Sequence, residues 1–395
     1  VRLMIIMLFF SYLSGISCSR VSLPILQLSA NAFPLVMGAR KWRHVRATLL
    51  ATAAAIAVWK RRGSGQLAFQ HLVVLQHGLS GTSRDLLVLE NLLESRGQQG
   101  GVVKAFAAKE NEGRNLDGVA EGGRRLAAEI REMVARLPGL RSLSVVGNSL
   151  GGLYARFAVA ELLDDGGTLA GLRPESFVTI GCPHLGVRKF TYIPVPAVLR
   201  GAARVLVGRT GEELMLNDEG TLLQRMAEPG SKYLAALQVF RRRALYANLW
   251  GDALVPFGTA ALEPSWGAGI DDMLRAVEFA KRPGAVVVDE AILEGRGDGI
   301  AVIADIAAGD VGSAAQEAGL SKESRMAKAL EACGWRKVGV AFEKTGSFFP
   351  AAHNKIAALH RDGFRRLAFD WLDSTSDGEK LMDHVADFIT GPEKK

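Results

Sequence analysis

Two kinds of apolar pattern alternate along most of the chain. Short uninterrupted runs fall at Leu72–Gln76, Val102–Ala107, Leu143–Val146, Phe177–Ile180, Leu245–Trp250 and Val338–Phe342. Several end in Gly or in a polar pair, as buried parallel strands do. Between them lie longer stretches with apolar residues at three- and four-residue intervals, the helical repeat. These predict helices over Asp85–Arg96, ended by Gly97, over Gly118–Leu137, closed by Pro138, and over Leu153–Leu163. Asn354–Leu359 opens a further, C-terminal helix. Strands alternating with amphipathic helices imply βαβ units and a mostly parallel sheet flanked by helices.

Two segments interrupt the alternation. Residues 186–243 hold helical pieces and the basic triplet Arg241-Arg242-Arg243, and their position suits a helical cap over a site. Residues 266–333, rich in Ala and Gly, form a second insertion. The sequence therefore divides into an extension over 1–66 and one α/β domain over 67–390.

Charge sharpens that boundary. The 395-residue chain carries a net +7. Residues 1–84 hold ten Lys or Arg and no acid before Asp85, so the remainder carries −3. The basic character belongs to the extension, which argues against a nucleic-acid-binding body. Leu3–Leu13 (LMIIMLFFSYL) has the length and flanks of a signal-peptide core, and the acid-free run after it has transit-peptide composition. The pair resembles the two-part leader of proteins sent to complex plastids, with endomembrane association the alternative. A second apolar run, Ala47–Trp59, is short for a bilayer span and reads as an interfacial anchor or the leader's tail. Cys18 falls in this extension. Cys182 and Cys333, far apart, predict buried reduced thiols rather than a disulfide framework.

The chemistry-bearing residues cluster at predicted strand ends, where α/β sheets gather their sites. Gly147-Asn148-Ser149-Leu150-Gly151 fits G-x-S-x-G, with a strand before it and a helix behind. That context defines a nucleophile elbow and with it an α/β-hydrolase fold, a turn that lifts the Ser oxygen clear of the sheet. Gly147 and Gly151 permit the sharp reversal, and the helix N-terminus behind Ser149 aims N–H groups at developing negative charge. In this fold an acid and then a His follow the Ser in chain order. Asp252, just past Leu245–Trp250 and Gly251, is the candidate acid. Asp271, Asp272, Asp298 and Asp305 lie in the second insertion and read as solvated or capping acids. Of the His residues beyond Asp252, His353 follows the last strand in a loop, where a base would hang over the sheet edge. His360 lies further into the same helix, and His384 falls in a surface helix. The oxyanion donors are expected to be the N–H groups of Leu150 and, in the loop after the first strand, of Leu79. His77 and His184 read as structural. No ligand spacing suggests a metal, and the chemistry needs no cofactor.

Together LQHGLSGT, VVGNSLGGLYAR, TIGCPHLGV, GDALVP and AAHNKIA resemble the serine esterases of the Rog-type lipase family, over roughly residues 70–365 and in the family's order. The resemblance implies an α/β-hydrolase fold, hydrolysis of carboxylic esters with lipid acyl esters as substrate class, and a triad of Ser149, Asp252 and His353. Asn148 stands where many lipases carry His. The apolar stretch Tyr192–Leu206 would then be suited to meeting a lipid surface. An acyltransferase or thioesterase with the same triad, and a catalytically silent lipid-binding or scaffold protein, are the alternatives.

Overall fold

In a computed structural model of the chain, contacts separate Val1–Leu67 from Ala68–Lys395. The structure describes residues 70–100, 103–190, 203–219, 221–266, 286–287, 299–306, 308–309, 319–342, 351–359 and 374–391. The leader, His360, most of the second insertion and most of Tyr192–Leu206 lie outside these residues.

Six strands pair in parallel: β1 (His71–Gln76), β2 (Val103–Ala107), β3 (Ser142–Asn148), β4 (Arg173–Ile180), β5 (Arg242–Asn248) and β8 (Trp335–Ala341). Their spatial order is β2-β1-β3-β4-β5-β8. Two further strands extend the sheet beyond β8. β7 (Gly299–Ile306) pairs antiparallel with β8, and β6 (Val286–Val287) pairs antiparallel with β7. Part of what reads as an insertion over 266–333 is thus sheet.

Strand side chains alternate between two cores, because successive Cβ atoms point to opposite faces. Leu72, Val74, Leu143 and Val145 pack on one face, with α2 (Val119–Arg136) and α3 (Leu150–Leu162). On the other face are Val73, Leu75, Val146, Val178 and Ile180, with α1 (Leu87–Gly100) and α10 (Ser374–Thr390). A 3-10 turn, Ser83–Leu86, leads into α1, which runs through Gly97 to Gly100 instead of stopping there. α3 starts three residues earlier than its apolar repeat suggests, directly after Ser149. Between β4 and β5 lie α4 (Ala203–Leu214), kinked at Gly208, α5 (Leu222–Arg225) and α6 (Lys232–Gln238). Arg156 of α3 is fully buried and donates to the carbonyls of His184 and Met226, at 3.2 and 3.0 Å, pinning this helical insertion to the sheet. α7 (Phe257–Ala260) follows β5, α8 (Lys322–Glu331) precedes β8, and α9 (Ala351–Lys355) follows it.

Three sequence expectations change. His353 sits inside α9, not in a loop before a helix. His384 of α10 is half-buried, with Nδ1 3.0 Å from the Tyr246 hydroxyl, rather than on an open surface. Asp305 of β7 is exposed, as a solvated acid would be, but it caps no helix and accepts a bidentate pair from Arg336 of β8, at 2.7 and 2.8 Å, across the strands.

At the opposite end of the sheet from Ser149, His71 meets the Ser144 hydroxyl at 2.8 Å. Burial, opposed by Glu175 and reinforced by Arg242, Arg173 and Arg241, pushes its pKa down to about 4. An unfolded chain binds this proton from about pH 6.5 downward. Stability from the neutral His71 is therefore complete above that pH and is lost as pH falls toward 4. We expect wild type to lose about 2 kcal/mol more than His71→Gln between pH 7 and pH 5, read from urea denaturation. Parallel pH profiles for the two proteins would show that His71 does not carry this linkage.

Candidate active site

The site forms where β1, β3, β4, β5 and β8 end. Ser149 links β3 to α3 at φ 54° and ψ −128°, a conformation rare for a residue with a side chain. It is held there by its N–H, which donates to the Ile180 carbonyl at 2.8 Å, and by its carbonyl, which accepts from Gly152 N–H at 3.0 Å. Neighbouring backbones close in around the turn. A Cβ at Gly151 would collide with the His77 carbonyl oxygen, and one at Gly147 with Gly152. At Gly78 it would lie 2.7 Å from Ser149 Cβ, and at Gly152 2.5 Å from Cys182 Sγ.

Three residues distant in sequence meet at this turn. His353 Nε2 lies 2.9 Å from Ser149 Oγ, and His353 Nδ1 lies 2.9 Å from Asp252 Oδ2. A carboxylate only accepts, so Nδ1 donates its hydrogen to Asp252 and Nε2 is left as acceptor for the Ser149 hydroxyl. Asp252 is buried and saturated. Its Oδ2 also accepts from Asn248 Nδ2 at 2.8 Å, and its Oδ1 accepts from the Leu254 and Val255 N–H groups at 3.1 and 2.8 Å. The carboxylate therefore cannot rotate without breaking bonds to its own loop. The His353 ring packs against Gly181, at the end of β4, where a Cβ would sit 3.4 Å from Cε1. This arrangement can pass a proton from Ser149 to His353 while Asp252 fixes the ring.

Leu150 opens α3, so its N–H is among the first-turn donors that have no intrahelical acceptor. Leu79 follows Gly78, whose backbone borders Ser149, and so lies in a loop packed against the Ser149 side chain. His77 Nδ1 meets the Gly78 carbonyl at 3.0 Å, a bond within that loop. His184 is fully buried, with Nε2 3.0 Å from Thr179 Oγ1 and its ring edge-on to Trp335. Burial, with Arg156 adding to it, holds the His184 pKa well below the usual range, so it stays a neutral structural ring. Cys182 and Cys333 are free and buried. Among the described residues no cluster of His, Cys, Asp and Glu could hold a metal.

Asn248 is the neighbour that the sequence reading passed over. Its signal is a polar residue inside the apolar run Leu245–Trp250, four positions before the acid. Asn111 and Asn115, in the loop after β2, were also passed over, since nothing in their own segment marks them as neighbours of β1.

The parallel sheet with helices on both faces, and a Ser on a strained strand-to-helix turn at its centre, define an α/β-hydrolase fold. Residues 68–263 carry a domain that matches the family described as "Putative serine esterase (DUF676)". Curated relatives include "Putative lipase C4A8.10" of Schizosaccharomyces pombe, 32% identical over 211 residues, which are 49% of this chain and 26% of that protein. "Putative lipase ROG1" of Saccharomyces cerevisiae is 32% identical over 202 residues, 49% of this chain and 28% of that protein. The chain thus spans little more than a quarter of these relatives' length. Solved structures with a similar chain include phospholipase PlaB from Legionella pneumophila, with TM-score 0.31 and 13% identity over 48% of this chain and 41% of that one. A monoacylglycerol lipase from Paleococcus ferrophilus gives TM-score 0.28 and 18% identity over 48% and 78%.

The packing at the turn yields a prediction. Gly152→Ala sets a methyl against Cys182, so we expect about 1–3 kcal/mol of destabilisation by thermal or urea unfolding. Cys182→Ala in the same chain removes the sulfur and is expected to return part of that loss. Additive effects of the two substitutions would show that the contact is not what excludes a side chain.

Proposed function

We propose that this domain hydrolyses carboxylic esters, with lipid acyl esters as the substrate class, through a Ser149–His353–Asp252 triad. The observation that carries the reading is the pair of 2.9 Å contacts that joins Ser149 to His353 and His353 to Asp252. In the proposed reaction Ser149 Oγ attacks the ester carbonyl carbon while its proton passes to His353 Nε2. Asp252 holds the ring and offsets the imidazolium charge. The Leu150 and Leu79 N–H groups receive the oxyanion. Collapse of the tetrahedral intermediate expels the alcohol, which takes the proton from His353. Water, activated in turn by His353, then releases the acid and restores Ser149. Asn248 keeps Asp252 aimed at His353. The lipid part of the reading rests on the lipase names of the relatives that share this domain.

A fluorophosphonate probe is expected to label wild type at Ser149. Ser149→Ala should lose the label, and ester turnover should fall by about 10⁴-fold or more. His353→Gln should fall comparably, and Asp252→Asn by about 10⁴-fold, since it leaves the ring in the wrong tautomer. Labelling that survives Ser149→Ala would overturn the assignment. A series of p-nitrophenyl and glycerol esters of rising chain length reads the substrate class, and activity confined to short soluble esters would remove the lipid reading. Transfer of the acyl group to an added alcohol in preference to water would favour an acyltransferase.

A further inference from the structure

The loop that carries Leu79 is clamped at both ends by two asparagines that belong to neither the triad nor the elbow. At its start, Asn111 Nδ2 donates to Gln76 Oε1 at 3.1 Å and also to the Gly122 carbonyl at 3.0 Å. At its far end, the Ser80 N–H donates to Asn115 Oδ1 at 2.9 Å. Ser80 adopts φ 53°, so the peptide that follows Leu79 is turned into the left-handed region and needs an external hold. Asn115 supplies it from a buried position. Its own amide is fixed, because Nδ2 donates to the Asn111 carbonyl at 2.8 Å.

The Asn115 backbone is held in turn by the helical insertion. Its carbonyl accepts from the Thr210 hydroxyl at 2.6 Å and from the Tyr154 hydroxyl at 3.4 Å. Thr210 belongs to α4, is fully buried, and accepts the Gly118 N–H at 3.0 Å through the same oxygen. Glu213, three residues further along the same helix, accepts the Val119 N–H at the start of α2. A continuous set of hydrogen bonds therefore runs from α4 through Thr210 and Asn115 to Ser80, one residue from Leu79.

We infer that Asn115 is a positioning residue for the oxyanion site, and that Thr210 of α4 braces it. The inference rests on the proposed ester-hydrolase chemistry. Asn115 touches no reacting atom. It sets the plane of the loop so that the Leu79 N–H is aimed before substrate arrives, and a donor that need not reorganise is worth most in the transition state. The effect should thus fall on kcat and leave KM nearly unchanged.

The test compares wild type, Asn115→Ala, Thr210→Val and Thr210→Ser, using a p-nitrophenyl ester and an alkyl boronic acid. The boronate bonds to Ser149 Oγ and places an oxygen where the oxyanion would lie. For Asn115→Ala we expect kcat to fall about tenfold to a hundredfold, with KM within about twofold and boronate affinity weakened in step with kcat. Thr210→Val should move both readouts in the same direction by a smaller factor, and Thr210→Ser should restore them. Melting temperature reports folding for each variant. A folded Asn115→Ala with wild-type kcat and boronate affinity overturns the inference, as does a loss seen only in KM. If Asn115→Ala does not fold, the Thr210 pair decides, and an unchanged Thr210→Val overturns it. Fluorophosphonate labelling that persists in Ser149→Ala identifies instead a failure of the ester-hydrolase reading itself.

Discussion

At the carboxyl ends of β1, β3 and β4 the backbones approach more closely than a Cβ allows, and the rest of the site is arranged around that contact. Gly147, Gly151 and Gly152 let the turn at Ser149 sink between its neighbours, and Gly78 lets the β1 loop lie against it. The strained φ of Ser149 costs energy by itself. It persists because bonds to Ile180 and Gly152 leave the turn no looser alternative. Two faces of apolar packing hold those strand ends in register, so the cost is met by the whole sheet and not by the turn.

A second consequence is that Asp252 and the β1 loop are each held by several hydrogen bonds. Asp252 is surrounded by donors from Asn248, Leu254, Val255 and His353. The β1 loop is fixed through Asn111 and Asn115, and Asn115 through Thr210. Buried hydrogen bonds of this kind lose most when one partner is left unpaired, so they resist partial rearrangement. The side that carries the His353 ring and the side that carries the β1 loop are thereby held independently, one from β5 and its following loop, the other from the helical insertion.

Much of this was legible in the chain. The six parallel strands announce themselves as apolar runs because a strand covered on both faces needs no polar alternation. Their ends are set by hydrogen-bond pairing and extend beyond the apolar cores: β4 begins at Arg173 and β5 at Arg242, where charged side chains reach the sheet's edge. β7 was not legible. Its own residues (GIAVIADI) are apolar and β-branched, but they lie within an Ala- and Gly-rich segment that interrupts the strand–helix alternation, and the antiparallel pairing with β8 is set only by tertiary packing. The helix that carries His353, α9, is likewise hidden in the sequence, since five residues are too few to show a repeat.

The sequence by itself determined the parallel sheet, the elbow at Ser149 and the order of Ser, acid and His along the chain. These depend on local spacing: apolar runs, glycines beside a Ser, and polar residues just past strand ends. Only the tertiary structure decided which atoms meet. That His353 reaches both Ser149 and Asp252, and that Asn115 holds Ser80, are relations across tens to hundreds of residues. They follow from how β5, β8 and the β2 loop are laid beside one another, and no local pattern encodes a distance between segments that packing alone brings together.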